Sequence, residues 1–269
     1  MSQTPDLRLK FGCTVLGSGS GGNASVIHGP DGNLLLDSGF SGVEIHRRLE
    51  QVHIDPASIR AILVTHGHGD HSKGCAIFSA KHDIPVYLTS ESIVKMIEDK
   101  IKIPENKILF QPGFSFDLCG IHVEPFEVSH DTPAVGFTFS ACEHKIGFAT
   151  DLGFVSNLVK TRLCGCDLLV LESNYDTKML RMSKRKLRTK QRIAGRHGHL
   201  SNADAMIALG ELLAPNTKHL VLAHISRECN DYSLVSELAE ARLAELNRQD
   251  VIPCTAFQSS PLKTICLEE

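Results

Sequence analysis

Four side chains that can bind a metal ion lie within six residues of this chain, directly after a short apolar segment. Residues 61–65 predict a buried β-strand, and the run that follows it is His66-Gly67-His68-Gly69-Asp70-His71. Imidazole and carboxylate groups at this spacing suit divalent ions such as zinc, manganese or iron. One ion that also carries water seldom uses four protein ligands, so the run favours two adjacent ions. A surface loop without function is the alternative, and the apolar strand before the run argues against it.

Strand patterns and helix patterns alternate along the chain, which indicates an α/β fold. We predict strands over 13–16, 25–37 with a turn at 29–32, 61–65, 85–88, 121–128, 135–139, 145–150, 167–172 and 219–223, and helices over 42–50, 91–100, 203–213 and 233–247. Two further potential ligands, Asp151 and His224, each follow a predicted strand directly. Ligand and catalytic residues collect at such positions because the sheet holds them rigidly while the loop leaves them accessible.

The composition is that of an ordinary globular protein. The chain has 269 residues, of which 42% are hydrophobic and 22% charged, and no linker or repeat divides it, so we predict one domain over residues 1–269. We expect no signal peptide in the first ten residues, which lack an apolar core, and no membrane contact. The nine irregularly spaced cysteines predict a cytoplasmic protein with reduced thiols. The oligomeric state stays open.

The histidine run also resembles a known family. Residues 65–71, Thr-His-Gly-His-Gly-Asp-His, are similar to the signature of the metallo-β-lactamase superfamily. Segments 128–131, 149–153 and 222–226 resemble the later ligand motifs of that family and contain His130, Asp151 and His224. The resemblance implies two divalent ions, zinc or manganese. The implied ligands are His66, His68, His130 and Asp151 for one ion, and Asp70, His71, Asp151 and His224 for the other.

A second histidine motif favours a phosphodiester substrate over a thioester or a lactam. Residues 198–202, Gly-His-Leu-Ser-Asn, resemble the additional motif of transfer-RNA 3′-processing enzymes and cyclic phosphodiesterases. That resemblance implies that His199 contacts the phosphate or the leaving oxygen, with Ser201 beside it in the substrate site. A helix start capped by Ser201 is the alternative, and both can hold because a helix N-terminus attracts anions.

Two other segments can contact phosphate. Residues 181–192 contain seven basic groups and no acid, and from them we select Lys184, Arg188 and Arg192 as substrate-binding residues. Such clusters bind nucleic acid through counterion release even when, as here, the formal net charge is −3; a solvated helix face is the alternative. The glycine-rich segment 17–23 offers backbone N–H groups and the hydroxyls of Ser18 and Ser20, although a simple tight turn explains it equally well.

The order of the motifs over almost the whole chain resembles the YycJ/WalJ (VicX) group of the superfamily. The matching segments are GSGSGGNAS, LLLDSG, THGHGDH, SHDTPAVGF, ATDLG, LLVLESNYD, RIAGRHGHLSN and LAHIS. This resemblance implies a four-layer αββα sandwich, in which two sheets pack face to face between helices. It also implies a 5′-to-3′ exonuclease, with DNA rather than RNA as the expected partner.

The expected reaction is hydrolysis, since paired divalent ions activate water and stabilise an oxyanion. We expect Asp70 to accept or orient the proton of the attacking water. We expect His199 to contact the phosphate or protonate the leaving oxygen, with Glu172 orienting His199. The alternative function is hydrolysis of a small molecule, a cyclic phosphodiester or a thioester of the glyoxalase II kind, which needs no basic run. A regulatory protein on a degenerate fold is disfavoured because every ligand position is filled. A diiron oxidoreductase is disfavoured because Gly67 stands where that class has a carboxylate.

Overall fold

The computed structural model describes residues 11–267 and contains two seven-stranded sheets. In spatial order the first sheet consists of β14 (Ile265–Cys266), β1 (Gly12–Gly17), β2 (Ala24–Gly29), β3 (Gly32–Leu36), β4 (Ile59–Leu63), β5 (Val86–Leu88) and β6 (Lys107–Leu109). The second consists of β13 (Ile252–Thr255), β12 (His219–Ala223), β11 (Leu168–Glu172), β10 (His144–Ala149), β9 (Ala134–Ala141), β8 (Ile121–Val128) and β7 (Phe116–Leu118).

Each sheet is antiparallel in one half and parallel in the other. Strands β3 to β6 of the first sheet are parallel neighbours, and so are β10 to β13 of the second. In a parallel set the carboxyl ends of the strands lie at one edge. The loops after β4, β10 and β12, which carry the sequence-predicted ligands, therefore leave their sheets from these parallel halves.

Nine helices lie in the described part of the chain. They are α1 (Gly42–Gln51), α2 (Gly69–Ser72), α3 (Cys75–His82), α4 (Ser90–Glu98), α5 (Asn157–Leu163), α6 (Thr177–Met182), α7 (Leu187–Ile193), α8 (Asn202–Leu212) and α9 (Tyr232–Glu245). The four helices predicted from periodicity are confirmed as α1, α4, α8 and α9, with ends that differ by one or two residues. The short helices α2, α3 and α5 were not predicted because fewer than about three turns give little periodic signal, whereas α6 and α7 fall on the helix-like pattern that follows residue 172.

The layer order follows from the alternation of side chains along each strand. In β3, Leu34 and Leu36 enter the core between the sheets, whereas Leu35 faces the core beneath α1, α3 and α4. In β11, Val170 enters the same central core, whereas Leu171 packs with residues of α5, α8 and α9. Each sheet therefore buries both faces, and the four-layer αββα sandwich is confirmed.

Two other expectations bear on the whole chain. Within residues 11–267, no helix is long and apolar enough to cross a membrane. The prediction about a signal peptide falls on residues 1–10, outside the described residues, and the single-domain boundary of 1–269 stays a prediction.

Candidate metal centre

The sequence-predicted ligands come from four strand ends and meet at one edge of the sandwich. The segment after β4 provides His66 and His68, and the one-turn helix α2 provides Asp70 and His71. The remaining three ligands follow β8, β10 and β12 and are His130, Asp151 and His224. A single histidine run therefore becomes one wall of a pocket whose other walls are distant in sequence.

Three histidines form the first donor group. His66, His68 and His130 each offer a ring nitrogen, and these nitrogens lie within 4.8 Å of one another. His66 Nε2 is 2.9 Å from His68 Nδ1, and the ring centroids of His66 and His130 are 5.1 Å apart. Neutral imidazoles that converge in this way are typical ligands of zinc and related ions.

A carboxylate and two histidines form the second donor group. Asp70, His71 and His224 also offer donor atoms within 4.8 Å of one another. Asp70 Oδ2 lies 3.8 Å from both His71 Nε2 and His224 Nε2. The two groups coincide with the two ligand sets implied by the family resemblance, apart from the shared aspartate.

Asp151 lies between the two groups. Its Oδ2 is 3.2 Å from His71 Nε2 in the second group, and its Oδ1 is 3.8 Å from His130 Nε2 in the first. The carboxylate therefore presents one oxygen to each group, as a bridging ligand does. The carboxyl group is buried, and Asp151 Oδ2 has no hydrogen-bond partner among residues 11–267.

The electrostatics of the site fit divalent cations. Burial alone would lower the pKa of His224, but the carboxylates of Asp151, Asp70 and Glu172 raise it to about 10. Burial likewise opposes the charge of His71, yet nearby aspartates raise its pKa well above the usual value. Protons on these imidazoles offset the negative charge of the carboxylates. Bound divalent ions can offset the same charge in place of the protons.

Two unpartnered atoms test whether a metal fits. His224 Nε2 and Asp151 Oδ2 are fully buried without a hydrogen-bond partner in the described chain, which is costly for polar atoms. Both atoms face other donors of the site, since His224 Nε2 is 3.8 Å from Asp70 and Asp151 Oδ2 is 3.2 Å from His71. A metal ion coordinated here satisfies both atoms, so the donor set fits the implied ions.

A buried aspartate that sequence reasoning missed orients one of the predicted ligands. Asp37 Oδ2 accepts a hydrogen bond from His71 Nδ1 at 2.7 Å, and Asp37 also accepts from the hydroxyl and N–H of Thr65. This contact leaves His71 Nε2 pointing into the site. Asp37 follows β3 directly, so the strand-end rule that identified Asp151 and His224 would also have identified it.

Glu172 joins two of the predicted functional histidines. Its Oε1 accepts hydrogen bonds from His199 Nδ1 at 2.9 Å and from His224 Nδ1 at 2.7 Å. Its Oε2 accepts from the N–H groups of Leu152 and Leu200 at 3.1 and 3.0 Å. Burial raises the pKa of this carboxyl, but the two histidines outweigh it and hold the pKa at about 2. Glu172 therefore stays ionised and fixes the orientation of both rings.

Three residues of the site adopt left-handed backbone conformations. Asp37, Asp151 and His224 have φ angles of 59°, 56° and 54°, and each follows a strand. Side chains with a Cβ atom seldom adopt these angles, which cost about 1–3 kcal/mol each. The turn redirects the chain just as it leaves the sheet and aims the side chain into the site.

A cleft of about 370 Å³ opens onto the predicted ligands. Some of the predicted substrate residues line this cleft and others do not. Ser20, Arg192 and His199 line it, and so does Arg185, which belongs to the basic run but was not selected. The remaining cleft residues are His68, Gly69, Asp70, Asp99, His130, Asp151, Asn174, Ile193, His224 and Ser226.

The other four predicted substrate residues lie outside the cleft. Ser18 is buried, where its hydroxyl donates to Asn23 and accepts from the N–H of His224, so it supports the site from behind. Ser201 is also buried and caps α8, as the alternative interpretation held. Lys184 is exposed in the turn between α6 and α7, and Arg188 is exposed on α7.

Comparisons with known proteins agree with this geometry. Residues 32–225 match the model of the β-lactamase superfamily domain. The chain is 35% identical to exodeoxyribonuclease YycJ of Bacillus anthracis, over 87% of this chain and 88% of that one. It is 32% identical to exodeoxyribonuclease WalJ of Streptococcus pneumoniae serotype 2, over 92% and 97% of the two chains.

Solved structures show the same fold. The metallo-β-lactamase fold protein YhfI of Bacillus subtilis superposes with a TM-score of 0.69 over 94% of this chain and 98% of that one, at 15% identity. A sequence identity as low as this supports only a shared fold. From the matched domain and its two relatives, the chain belongs to the β-lactamase superfamily, in the family of YycJ and WalJ.

Proposed function

We propose that this protein is a two-metal phosphodiesterase that degrades DNA as a 5′-to-3′ exonuclease. The observation that supports this most is a third element beside the two donor groups, formed by His199, Arg185 and Arg192 in the same cleft. A thioesterase needs no cations beside its metals, whereas a nucleic acid brings a phosphate charge with every nucleotide. Both relatives are exodeoxyribonucleases by name, and a metal-dependent hydrolase is what the fold and donor groups support.

The proposed ligands are His66, His68, His130 and Asp151 for one ion, and Asp70, His71, Asp151 and His224 for the other. Zinc or manganese at these positions supplies an activated water and positive charge for the phosphate.

The chain's own residues do the remaining work. Asp70 lines the cleft, and its carboxylate is placed to accept or orient the proton of the attacking water. His199 is held through Nδ1 by Glu172, which leaves Nε2 for the phosphate or the leaving oxygen. Arg192 pairs with Asp131, which also approaches His68 at 3.4 Å, so the cationic side of the cleft is tied to the metal ligands.

The cytoplasm is the proposed location. A DNA substrate is found there, and the cysteines at positions 13 to 254 form no disulfide. Burial raises the pKa of the Cys13 thiol to about 12, so this thiol stays protonated and unreactive.

The test is an assay on end-labelled DNA and RNA, single- and double-stranded, with protein reconstituted with zinc or manganese. We expect release of nucleotides from the 5′ end of DNA, loss of activity in a chelator and its return with added ion. His199→Ala should slow cleavage by about 10²–10⁴-fold. His197→Ala is the matched control, because this neighbouring histidine is exposed and bonded to Ser129 outside the cleft.

Several outcomes would redirect the proposal. Equal cleavage of RNA would remove the preference for DNA, and release from the 3′ end would reverse the polarity. Hydrolysis of a thioester or cyclic phosphodiester without cleavage of any polynucleotide would leave the small-molecule alternative. Binding to DNA that does not weaken with salt would also contradict a role for the basic residues.

A further inference from the structure

The basic run folds into a helical hairpin at the rim of the cleft. Helices α6 and α7 pack through a small core of Tyr175, Leu180, Ile193 and Cys229. Lys190 Nζ donates to the carbonyl of Arg181 at 2.6 Å, which ties one helix to the other. We call residues 177–193 the basic hairpin; its sequence contains no acidic residue.

Two large apolar side chains project from the tip of the basic hairpin. Met182 ends α6 and is 72% exposed, and Leu187 begins α7 and is 70% exposed. Single exposed apolar residues are ordinary on protein surfaces. Here, however, the two flank a four-residue turn that contains Lys184, Arg185 and Lys186. An apolar tip surrounded by cations complements a base pair between two phosphate backbones.

The basic hairpin is continuous with the cleft. Arg185 and Arg192 belong to the hairpin and line the cleft directly. Arg185 is anchored by Glu228 at 3.0 Å, and Arg192 by Asp131. A strand whose phosphate reaches the metal ligands therefore passes along the hairpin on its way in.

The side of the cleft next to α4 carries several carboxylates, and Arg192 of the basic hairpin also lines the adjoining depression. Asp99 lines the cleft beside α4, and the adjoining depression carries Glu91 and Glu98. Lys95, the cation of this helix, is already paired with Asp99 at 2.7 Å. These carboxylates repel a phosphate backbone, so a duplex approaches from the hairpin side.

The cleft is too small for two strands. Its volume is about 370 Å³, and Asp151 and His224 at its base are buried. The major groove alone of a B-form duplex is roughly 12 Å wide. A strand that enters the cleft therefore leaves its partner first, and separating stacked, paired bases costs free energy.

We propose that Met182 and Leu187 form a wedge that stacks on the terminal base pair of a DNA duplex and opens it. The cut strand then passes Arg185 and Arg192 into the cleft, while its partner stays outside. Methionine and leucine serve other proteins as apolar wedges between base steps, and the surrounding cations hold the phosphates in place. This inference rests on the proposed nuclease function and adds how the enzyme handles paired ends.

The first test compares DNA ends of one sequence. The double variant Met182→Ser/Leu187→Ser should cut a blunt duplex about tenfold more slowly than the wild type, the loss expected when one apolar stacking contact is removed. It should cut single-stranded DNA and a duplex with an unpaired, forked 5′ end at the wild-type rate. Ile207→Ser on α8, with a side chain 63% exposed, is the matched control and should change none of these rates.

The results separate the two proposals. Wild-type protein that cuts no DNA at all would refute the nuclease function. A double variant that cuts the blunt duplex as fast as wild type, or that loses activity equally on single strands, would refute the wedge while leaving the nuclease intact.

A binding measurement tests the wedge without cleavage of the DNA. The metal-loaded protein is mixed with a blunt duplex that carries 2-aminopurine in its last base pair and nuclease-resistant phosphorothioate linkages. Wild-type protein should raise the fluorescence as the base unstacks, and the double variant should bind without raising it. An unchanged signal on wild-type binding would overturn the wedge.

Discussion

Replacing Glu172 by glutamine tests whether one buried carboxylate determines which ring nitrogen carries the proton in two histidines. The substitution keeps the shape of the side chain but removes its charge and one acceptor oxygen. If the amide oxygen keeps the N–H groups of Leu152 and Leu200, the amide N–H₂ group faces His199 and His224. Both rings must then accept at Nδ1 and carry their proton on Nε2. For His224 that is the atom left without a partner in the metal centre.

The expected losses follow from these contacts. Two charge-assisted hydrogen bonds disappear from a fully buried site, so the free energy of unfolding should fall by about 3–5 kcal/mol. The affinity for an ion at the second donor group should fall by about 10–100-fold, since the proton on His224 Nε2 must move to Nδ1 before Nε2 can bind. Urea unfolding of the metal-free protein measures the first quantity, and calorimetric titration with zinc measures the second.

Glu124→Gln provides the matched control. Glu124 lies in β8 of the same sheet and also makes two side-chain contacts, to Arg162 and to Thr138, each at 3.0 Å. Its substitution should lower stability slightly and leave zinc binding unchanged. Wild-type zinc affinity in Glu172→Gln would refute the claim that this carboxylate sets the tautomer of His224.

Three further predictions address pH, salt and backbone packing. Burial lowers the pKa of His28 to about 4, so as the pH falls through 6.5 this histidine is protonated in the unfolded chain before it is protonated in the folded one. The free energy of unfolding should therefore drop by about 2 kcal/mol between pH 7 and 5. Urea unfolding of His28→Gln should lack that share of the drop, and an equal drop would contradict the assignment. Arg192→Gln should reduce the slope of log affinity for DNA against log salt by about 1, and an unchanged slope would exclude a phosphate contact. Gly39→Ala should abolish zinc binding at the second site, because its Cβ would lie 1.6 Å from the backbone oxygen of Asp70, whereas Gly69→Ala, with its nearest contact at 3.5 Å, should bind normally.

The two donor groups could be predicted because their signals are local. Each follows a short apolar strand, and the run from His66 to His71 needs no tertiary information to be recognised as a metal-binding pattern. Asp37 also ends a predicted strand, but its role was not predicted because that role depends on the parallel pairing of β3 with β4, where Leu36 lies opposite Leu63 and brings Asp37 to Thr65. Pairing between strands more than twenty residues apart leaves no mark on either strand alone.

The substrate residues were harder to predict for a different reason. The basic run predicted a substrate-binding region, but which of its cations face the cleft depends on how α6 and α7 fold back on each other. Arg185 and Arg192 reach the cleft, whereas Lys184 and Arg188 do not line it. Ser18 shows the same difficulty, because the hydroxyl expected to bind phosphate is already bonded to Asn23 and to the backbone of His224.

The left-handed turns at Asp151 and His224 lower the thermal stability of the protein, but they place two side chains that the proposed catalysis needs. The folded chain carries the conformational cost of both turns whether or not ions are present, and glycine at either position would relieve it while removing a proposed ligand. A library sorted for heat resistance in a chelating buffer is therefore expected to accumulate inactive members at these two positions. The same library sorted with zinc present should retain both residues, because ion binding then contributes to the stability of the folded state. The choice of buffer thus decides which sequences such an experiment returns.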